Sequence, residues 1–352
     1  MRIAIDVMGG DHAPAEILNG AFAAARANAD RQIILVGQEE VIKNRLIEMK
    51  ELGDEVPANI SAVFAEDVMD MDESVTSLLK KKKTSIWIAT QLVKTGEADA
   101  IVSAGSTGAQ MACAMLLLGR CKGVERPCIA IHVPGGGRLL LDTGANVECT
   151  PEMLEQFAHL GSVYMQVQEG IEKPKVALLS NGTEDHKGTP TVQAAHALLR
   201  ASELNFVGNL EGRDLLRGDY NVMVSDGFSG NIALKSTEGA AMMIMDELKQ
   251  GISASFSRKL GAMLIKPVLR GLKKSLDYKE HGGGPLLGCN GVSIVCHGSS
   301  DARAIENAIG LAERCVAGNF VAKVTEEMTK VAEAKAAREA AAAAEAAAAE
   351  EK

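Results

Sequence analysis

Four stretches of small polar residues hold most of the chemistry that this sequence can offer: Ser103-Ala-Gly-Ser-Thr-Gly108, Ser180-Asn-Gly-Thr-Glu-Asp-His-Lys-Gly188, Ser225-Asp-Gly-Phe-Ser-Gly-Asn231 and Cys296-His-Gly-Ser-Ser300. Each follows a short β-branched run and precedes an amphipathic stretch, so each reads as a loop from a strand into a helix. Small residues let a ligand approach the backbone, and free N–H groups at a helix start favour an anion. Gly and Ser also turn a chain and cap a helix with no ligand present. One such loop therefore says little. Four at the carboxyl ends of strands in one open sheet point to a phosphate-type site. Neither nucleotide pattern is present, because Lys187 precedes Gly188, the reverse of Gly-Lys-Ser/Thr, and no Gly-x-Gly-x-x-Gly follows a strand.

Lys187 is the most informative charge, a cation among small polar residues instead of on a helix face with paired acids; the competing reading is a surface lysine. Asn181 and Asn231 either donate amide N–H groups to an anion or cap helices. His186 and His297 are candidate proton carriers, against the commoner structural use of a lone histidine. Asp6 with Asp11 and His12, and Asp142 with Asn146, form polar clusters from which a divalent metal site could be drawn. Carboxylate spacing alone is weak support for that, and turn-stabilising contacts explain both clusters better. The seven cysteines are odd in number and none forms a Cys-x-x-Cys pair, which suits a reducing cytoplasm. No Ser sits on a Gly-x-Ser-x-Gly elbow.

The elements that must position these residues alternate strand with helix along the chain, the pattern of an α/β fold with a mostly parallel sheet. Strands are expected at residues 2–5, 32–36, 100–103, 176–179, 222–224 and 292–295. Residues 129–133 and 138–141, flanking Gly135-Gly-Gly137, read as a hairpin. Residues 1–330 make the catalytic domain. Within it lies a basic amphipathic arm over 253–288, its core at Ser253 to Tyr278, interrupted by Pro267. Between Ser255 and Glu280, seven Lys or Arg stand against two acids, whereas the whole chain carries −9. The net acidity argues against nucleic acid as a partner. On a helical wheel Phe256, Leu260, Met263, Leu264 and Val268 fall on one side, and Lys259, Lys266, Arg270 and Lys273 on the other, the makeup of an interfacial helix; packing on the domain or in a dimer is the alternative. Residues 331–352 contain thirteen Ala in twenty-two and read as a frayed helical tail. The uncharged window from Ala100 to Gly119 has the length of a membrane span, but Gly105-Ser-Thr-Gly108 at its middle makes it strand, loop and helix. No signal peptide is expected, since Asp6 interrupts the first apolar run.

At these residues the sequence resembles the acyl carrier protein:phosphate acyltransferases, the PlsX-type enzymes of bacterial phospholipid synthesis. The likeness runs from Ile5-Asp-Val-Met-Gly-Gly-Asp-His-Ala-Pro14 through Leu141-Asp-Thr-Gly-Ala-Asn146, Gly208-Asn-Leu-Glu-Gly-Arg-Asp214, Asp226-Gly-Phe-Ser-Gly-Asn231 and Gly283-Gly-Pro-Leu-Leu-Gly288 to His297-Gly298. Ser106 stands where the family usually has Asn, and Gly284 where it usually has Ala. The resemblance implies a three-layer α/β/α fold similar to phosphate acetyltransferases and isopropylmalate dehydrogenase-like enzymes, usually as a homodimer. It implies transfer of a fatty acyl group from acyl carrier protein to inorganic phosphate, giving acyl phosphate for a membrane glycerol-3-phosphate acyltransferase, with no cofactor, no metal and no covalent acyl-enzyme. On that basis Lys187, Asn231 and His297 are expected to be catalytic, with His297 protonating the leaving sulfur. Ser103, Ser106, Thr107, Gly108 and Asn181 are expected to hold phosphate. Arg258, Lys259, Leu260, Leu264, Lys266 and Arg270 are expected to meet carrier protein and the inner membrane surface. The rival readings are a dehydrogenase of related fold, a phosphate acetyltransferase using coenzyme A, and an inactive membrane-docking regulator.

Overall fold

Runs such as Ile3-Ala-Ile5 and Ile33-Ile-Leu-Val36 are apolar at successive positions, as strands covered on both faces must be. The computed structural model describes residues 1–73, 75–276, 280 and 282–350, apart from the side chains of 75, 273–276, 339 and 341–350. The first sheet contains β1 (Arg2–Asp6), β2 (Gln32–Gly37), β3 (Ile60–Phe64), β4 (Ala100–Ser103), β5 (Cys128–Ile129), β11 (Gly284–Leu287) and β12 (Val292–Val295), in the spatial order β3-β2-β1-β4-β12-β11-β5. The second contains β6 (Ile131–His132), β7 (Leu139–Leu141), β8 (Lys175–Ser180), β9 (Asn205–Glu211) and β10 (Val222–Val224), in the order β6-β7-β10-β8-β9. Neighbours are parallel except where β11 meets β12 and β5, and where β6 meets β7.

Helices cover both faces. Ile3, Ile5 and Leu35 point to the side of α1 (Ala15–Ala27), α2 (Glu39–Glu51) and α10 (Ala302–Ala317), while Ala4, Ile34 and Ile101 meet α3 (Ser85–Thr95) and α4 (Thr107–Cys113). On the second sheet, α5 (Pro151–Glu169) and α6 (Pro190–Arg200) pack over Val176, Leu178 and Val222, and α11 (Phe320–Glu350) lies along α5. One apolar core runs from Ile3 and Val102 through Phe157 of α5 and Ile309 of α10 to Leu141 and Val224, joining the sheets. Helix starts are written locally. Thr150 and Thr189 accept the N–H of Met153 and Val192, each followed by a proline at the first helical position.

The expected strands are present with ends shifted by at most one residue, and β6 and β7 form the expected hairpin ladder, Ile131 opposite Leu140. The chain changes sheets inside the first hairpin run. Ile129 pairs with Leu286 in the first sheet, and Ile131 with Leu140 in the second. Only Ala130 separates them, and its N–H donates to Pro285 O at 3.2 Å.

The basic segment forms α8 (Phe256–Leu264) and α9 (Lys266–Leu276), which follow α7 (Gly227–Ser253), and Pro267 sits in the first turn of α9, where its missing N–H costs nothing, instead of bending one helix. Phe256 and Leu264 are each 82% exposed, with Leu260, Met263 and Val268 also open to solvent. Arg258, Lys259, Lys266 and Arg270 are exposed beside them. The side chains of Lys273 and Lys274, together with Asp277, Tyr278 and Lys279, lie outside the described residues. The tail begins later than its composition suggests. Helix α11 runs through position 331 without a break, Val331 is buried, and Arg338 Nη2 lies 2.9 Å from Oε1 of the buried Glu155. Glu351 and Lys352 lie outside the described residues. Among the described residues, no helix is long and apolar enough to cross a membrane.

Candidate functional site

The sheet switch at Ala130 brings the carboxyl edge of the first sheet against α7 and the loop after β7. A cleft of about 450 Å³ opens there. One wall is made by Gly105 and Thr107 after β4, His297 and Gly298 after β12, and Asp11 after β1; the other by Thr143 and Gly144 after β7 and by Asn231, Leu234, Lys235 and Glu238 on α7. Ile129, Ile131 and Val295 make part of the lining apolar.

The loops approach closely because they lack side chains. A Cβ on Gly9 would lie 2.7 Å from Gly105 N, and one on Gly230 would lie 2.0 Å from Asp142 O. Each loop is pinned by a buried acid. Asp6 accepts from Ser103 Oγ at 2.7 Å, and that hydroxyl in turn accepts the Gly105 N–H at 3.1 Å. Ser103 thus shapes the loop from beneath, with its hydroxyl buried away from the cleft. Asp142 accepts from the N–H groups of Ile129, Ala145 and Asn146 at 3.0, 3.1 and 2.6 Å, which ties the loop after β7 to β5 of the other sheet. Burial pushes both carboxyls above their ordinary range, against hydrogen bonds that favour the ionised form. Both acids therefore act as turn anchors. Among the described residues no three His, Cys, Asp or Glu side chains are grouped to hold a metal ion.

The structure divides the expected site residues. Thr107, Asn231 and His297 line the cleft. Ser106, just before α4, makes no side-chain cap bond, and Gly108 is exposed on the first turn. Lys187 and Asn181 stand in the loop after β8 of the second sheet and are not among the residues that line this cleft. Asn181 Oδ1 accepts the Gly188 N–H at 2.9 Å, so it closes its own loop. Lys187 is half-buried and has no carboxylate partner among the described residues. His186 is exposed.

Lys235 and Glu238, which sequence reasoning passed over, face the cleft. Their signal was present: Asn231, Lys235 and Glu238 follow the i, i+4, i+7 spacing of one helix face. Lys235 Nζ lies 2.8 Å from Glu238 Oε2 and 3.3 Å from His297 Nε2, while His297 Nδ1 is 2.8 Å from Ser299 Oγ. Burial, and then the neighbouring ammonium, hold His297 below the usual histidine range, against a smaller opposing pull from Glu238 and Asp11. His297 is therefore neutral at pH 7 and able to accept a proton before giving one. Cys296 also lines the cleft, but burial pushes its thiol up to about 12, so it carries no thiolate for nucleophilic attack at neutral pH. The cleft thus offers a cation, a neutral imidazole, an amide and small-residue loops beside an apolar wall. That set can hold an anion next to an apolar acyl group and move one proton.

Residues 1–323 match the family described as "Fatty acid synthesis protein". The chain is 49% identical over 339 residues to a phosphate acyltransferase of Desulfitobacterium hafniense, covering 95% of this chain and 100% of that one. It is 50% identical over 331 residues to a phosphate acyltransferase of Heliobacterium modesticaldum, covering 93% and 98%. Among solved structures it is similar in fold to a phosphotransacetylase of Streptococcus pyogenes, with a TM-score of 0.59 at 18% identity over 89% of this chain and 94% of that one. The EutD phosphotransacetylase of Staphylococcus aureus gives 0.56 at 19% identity over 89% and 94%.

Proposed function

The chain belongs to the phosphate acyltransferase family of fatty acid synthesis, and from that premise we propose that it moves a long-chain acyl group from acyl carrier protein onto inorganic phosphate. The observation that carries this reading is the make-up of the cleft, where Gly, Thr and Asn groups suited to an anion face Ile129, Ile131 and Val295, suited to an acyl chain, across a neutral His297.

An oxygen of hydrogenphosphate attacks the thioester carbon, a C–O bond forms, and the C–S bond breaks. The proton that hydrogenphosphate loses is the one that the departing sulfur needs, so the reaction balances without a cofactor. His297 takes that proton and returns it to sulfur, as a histidine neutral at rest can. Asn231, Thr107 and the backbone at Ser106 and Gly108 hold the anion; Lys187 and Asn181, on the edge of the second sheet, draw it inward by charge and shape. With phosphate itself as nucleophile, no acyl-enzyme is needed.

The arm supplies the partners. Its basic residues Arg258, Lys259, Lys266 and Arg270 suit an acidic carrier protein, and its open apolar residues Leu260 and Leu264 suit a membrane surface, where an acyl phosphate would pass to a membrane glycerol-3-phosphate acyltransferase. Exposed Met242, Met243 and Ile244 on α7 offer apolar area for a homodimer contact. Seven free cysteines support a cytoplasmic site of action at the inner face of the membrane.

The test supplies palmitoyl-acyl carrier protein, palmitoyl-coenzyme A and acetyl-coenzyme A in parallel with phosphate and traps acyl phosphate as hydroxamate. The proposed function requires the carrier-protein thioester to give the highest kcat/KM. Preference for acetyl-coenzyme A would make the protein a phosphate acetyltransferase, and no product from any donor would leave docking without catalysis.

A further inference from the structure

The cleft that receives phosphate in the function proposed above has two acidic side chains among its described lining residues, Asp11 and Glu238, and one permanent cation, Lys235. A dianion entering that cleft needs compensation that backbone N–H groups supply only in part. We propose that Lys235 is the substrate-facing cation of the reaction: its ammonium neutralises the phosphate oxygens on binding and the carbonyl oxygen of the thioester as the tetrahedral adduct forms.

The geometry favours this over a solvated ion pair on a helix. Glu238, one turn further along α7, takes one N–H of the ammonium at 2.8 Å, and His297 Nε2, across the cleft, faces a second at 3.3 Å. An ammonium has three N–H donors, so a third remains for a ligand. The side chain is 51% exposed, open enough for a ligand to reach and fixed from two sides. Asn231 lies one turn earlier on the same face of α7, and Thr107 and Gly144 line the same cavity, so an oxyanion seated among them lies within the cleft that Lys235 enters. The 3.3 Å contact is long for a hydrogen bond and yields readily to an anion. The assignment rests on the phosphate acyltransferase reading for its chemistry, and on the cleft alone for anion binding.

The test uses the full-length protein with Lys235→Met, Lys235→Arg and, for comparison, Lys187→Met. Phosphate affinity is first measured by calorimetry without acyl donor, and then kcat and KM for phosphate are measured with palmitoyl-acyl carrier protein. Lys235→Met is expected to melt like the wild type, to bind phosphate at least about tenfold more weakly, and to lose about 10²–10³ in kcat/KM. Lys235→Arg should recover at least a tenth of the wild-type value, because it keeps a permanent cation at that place. If the wild type makes no acyl phosphate, the function proposed above fails, while the calorimetry still reads Lys235. If Lys235→Met binds phosphate as the wild type does, or keeps its kcat/KM within about threefold, Lys235 is not that cation.

Discussion

Two glycines of one helix should respond oppositely to the same substitution. Gly230 and Gly239 both lie in α7, and replacing an exposed helical glycine by alanine stabilises by about 1 kcal/mol, because glycine loses more backbone freedom on folding. At Gly239 nothing lies within 4 Å of an added Cβ, so Gly239→Ala should realise that gain. At Gly230 the added carbon would sit 2.0 Å from Asp142 O and 2.5 Å from Ser225 Oγ. The nearer obstacle is a backbone carbonyl in the loop that Asp142 ties to β5, so relief requires α7 or that loop to move. Overpacking of this kind costs about 1–3 kcal/mol or more, which offsets the helical gain and leaves Gly230→Ala less stable than Gly239→Ala by that amount. For a chain of this length the entropy of unfolding makes 1 kcal/mol worth only about 1–1.5 °C in melting temperature, so calorimetry with replicate scans is the assay. Gly230→Ala should also displace Asn231 from Thr143 and Gly144 and slow turnover, whereas Gly239→Ala should not. Equal melting temperatures and equal rates for the two variants would refute the close packing of α7 on the loop after β7.

Cys296→Ser should keep most of the activity, since burial holds that thiol near 12 and no step uses it; a loss of several orders of magnitude with an acylated cysteine trapped would contradict this. The acid limb of kcat/KM should fall below the ordinary histidine value near 6.5, because a base with a lowered pKa loses its function only when pH drops through that lower value. An NMR titration should move the His297 midpoint upward in Lys235→Met, with Glu238 and Asp11 then the remaining charges named beside it; an unchanged midpoint would remove the ammonium as a cause. Replacing Leu260 and Leu264 by Glu should release the protein from anionic vesicles while sparing turnover in solution, and reversing Arg258, Lys259 and Lys266 should raise KM for acyl carrier protein. Vesicle binding and KM both unchanged at low salt would make the arm structural.

Much of the fold was legible because β1, β2, β4, β8, β10 and β12 are covered on both faces and so spell largely apolar runs. The unnoticed strands have other reasons. β3 is an edge strand with polar Ser61 and partly exposed residues, β9 is an edge strand carrying Asn205, Asn209 and Glu211, and β11 includes Gly284 and Pro285, which read as a turn. The switch of sheets at Ala130 depends on partners more than 140 residues away, near Pro285 and Leu286, and no local pattern encodes it. In the site, Asn231, His297 and Thr107 stood out because they lie in loops of unusual composition. Lys235 did not, since a lysine three residues before a glutamate on a helix reads as a solvated pair, and the imidazole that makes it distinctive comes from 62 residues further on. Lys187 was conspicuous for its loop, which follows β8 at the same carboxyl edge of the second sheet as the loops after β7 and β10.

The account turns on phosphate attacking the thioester directly, and the most direct measurement is the release of carrier-protein thiol in a single turnover, with enzyme in excess over palmitoyl-acyl carrier protein. Direct attack predicts no thiol without phosphate, and thiol and acyl phosphate in equal amounts once phosphate is added. A burst of thiol in the absence of phosphate, matched by acyl groups bound covalently to the protein, would contradict it.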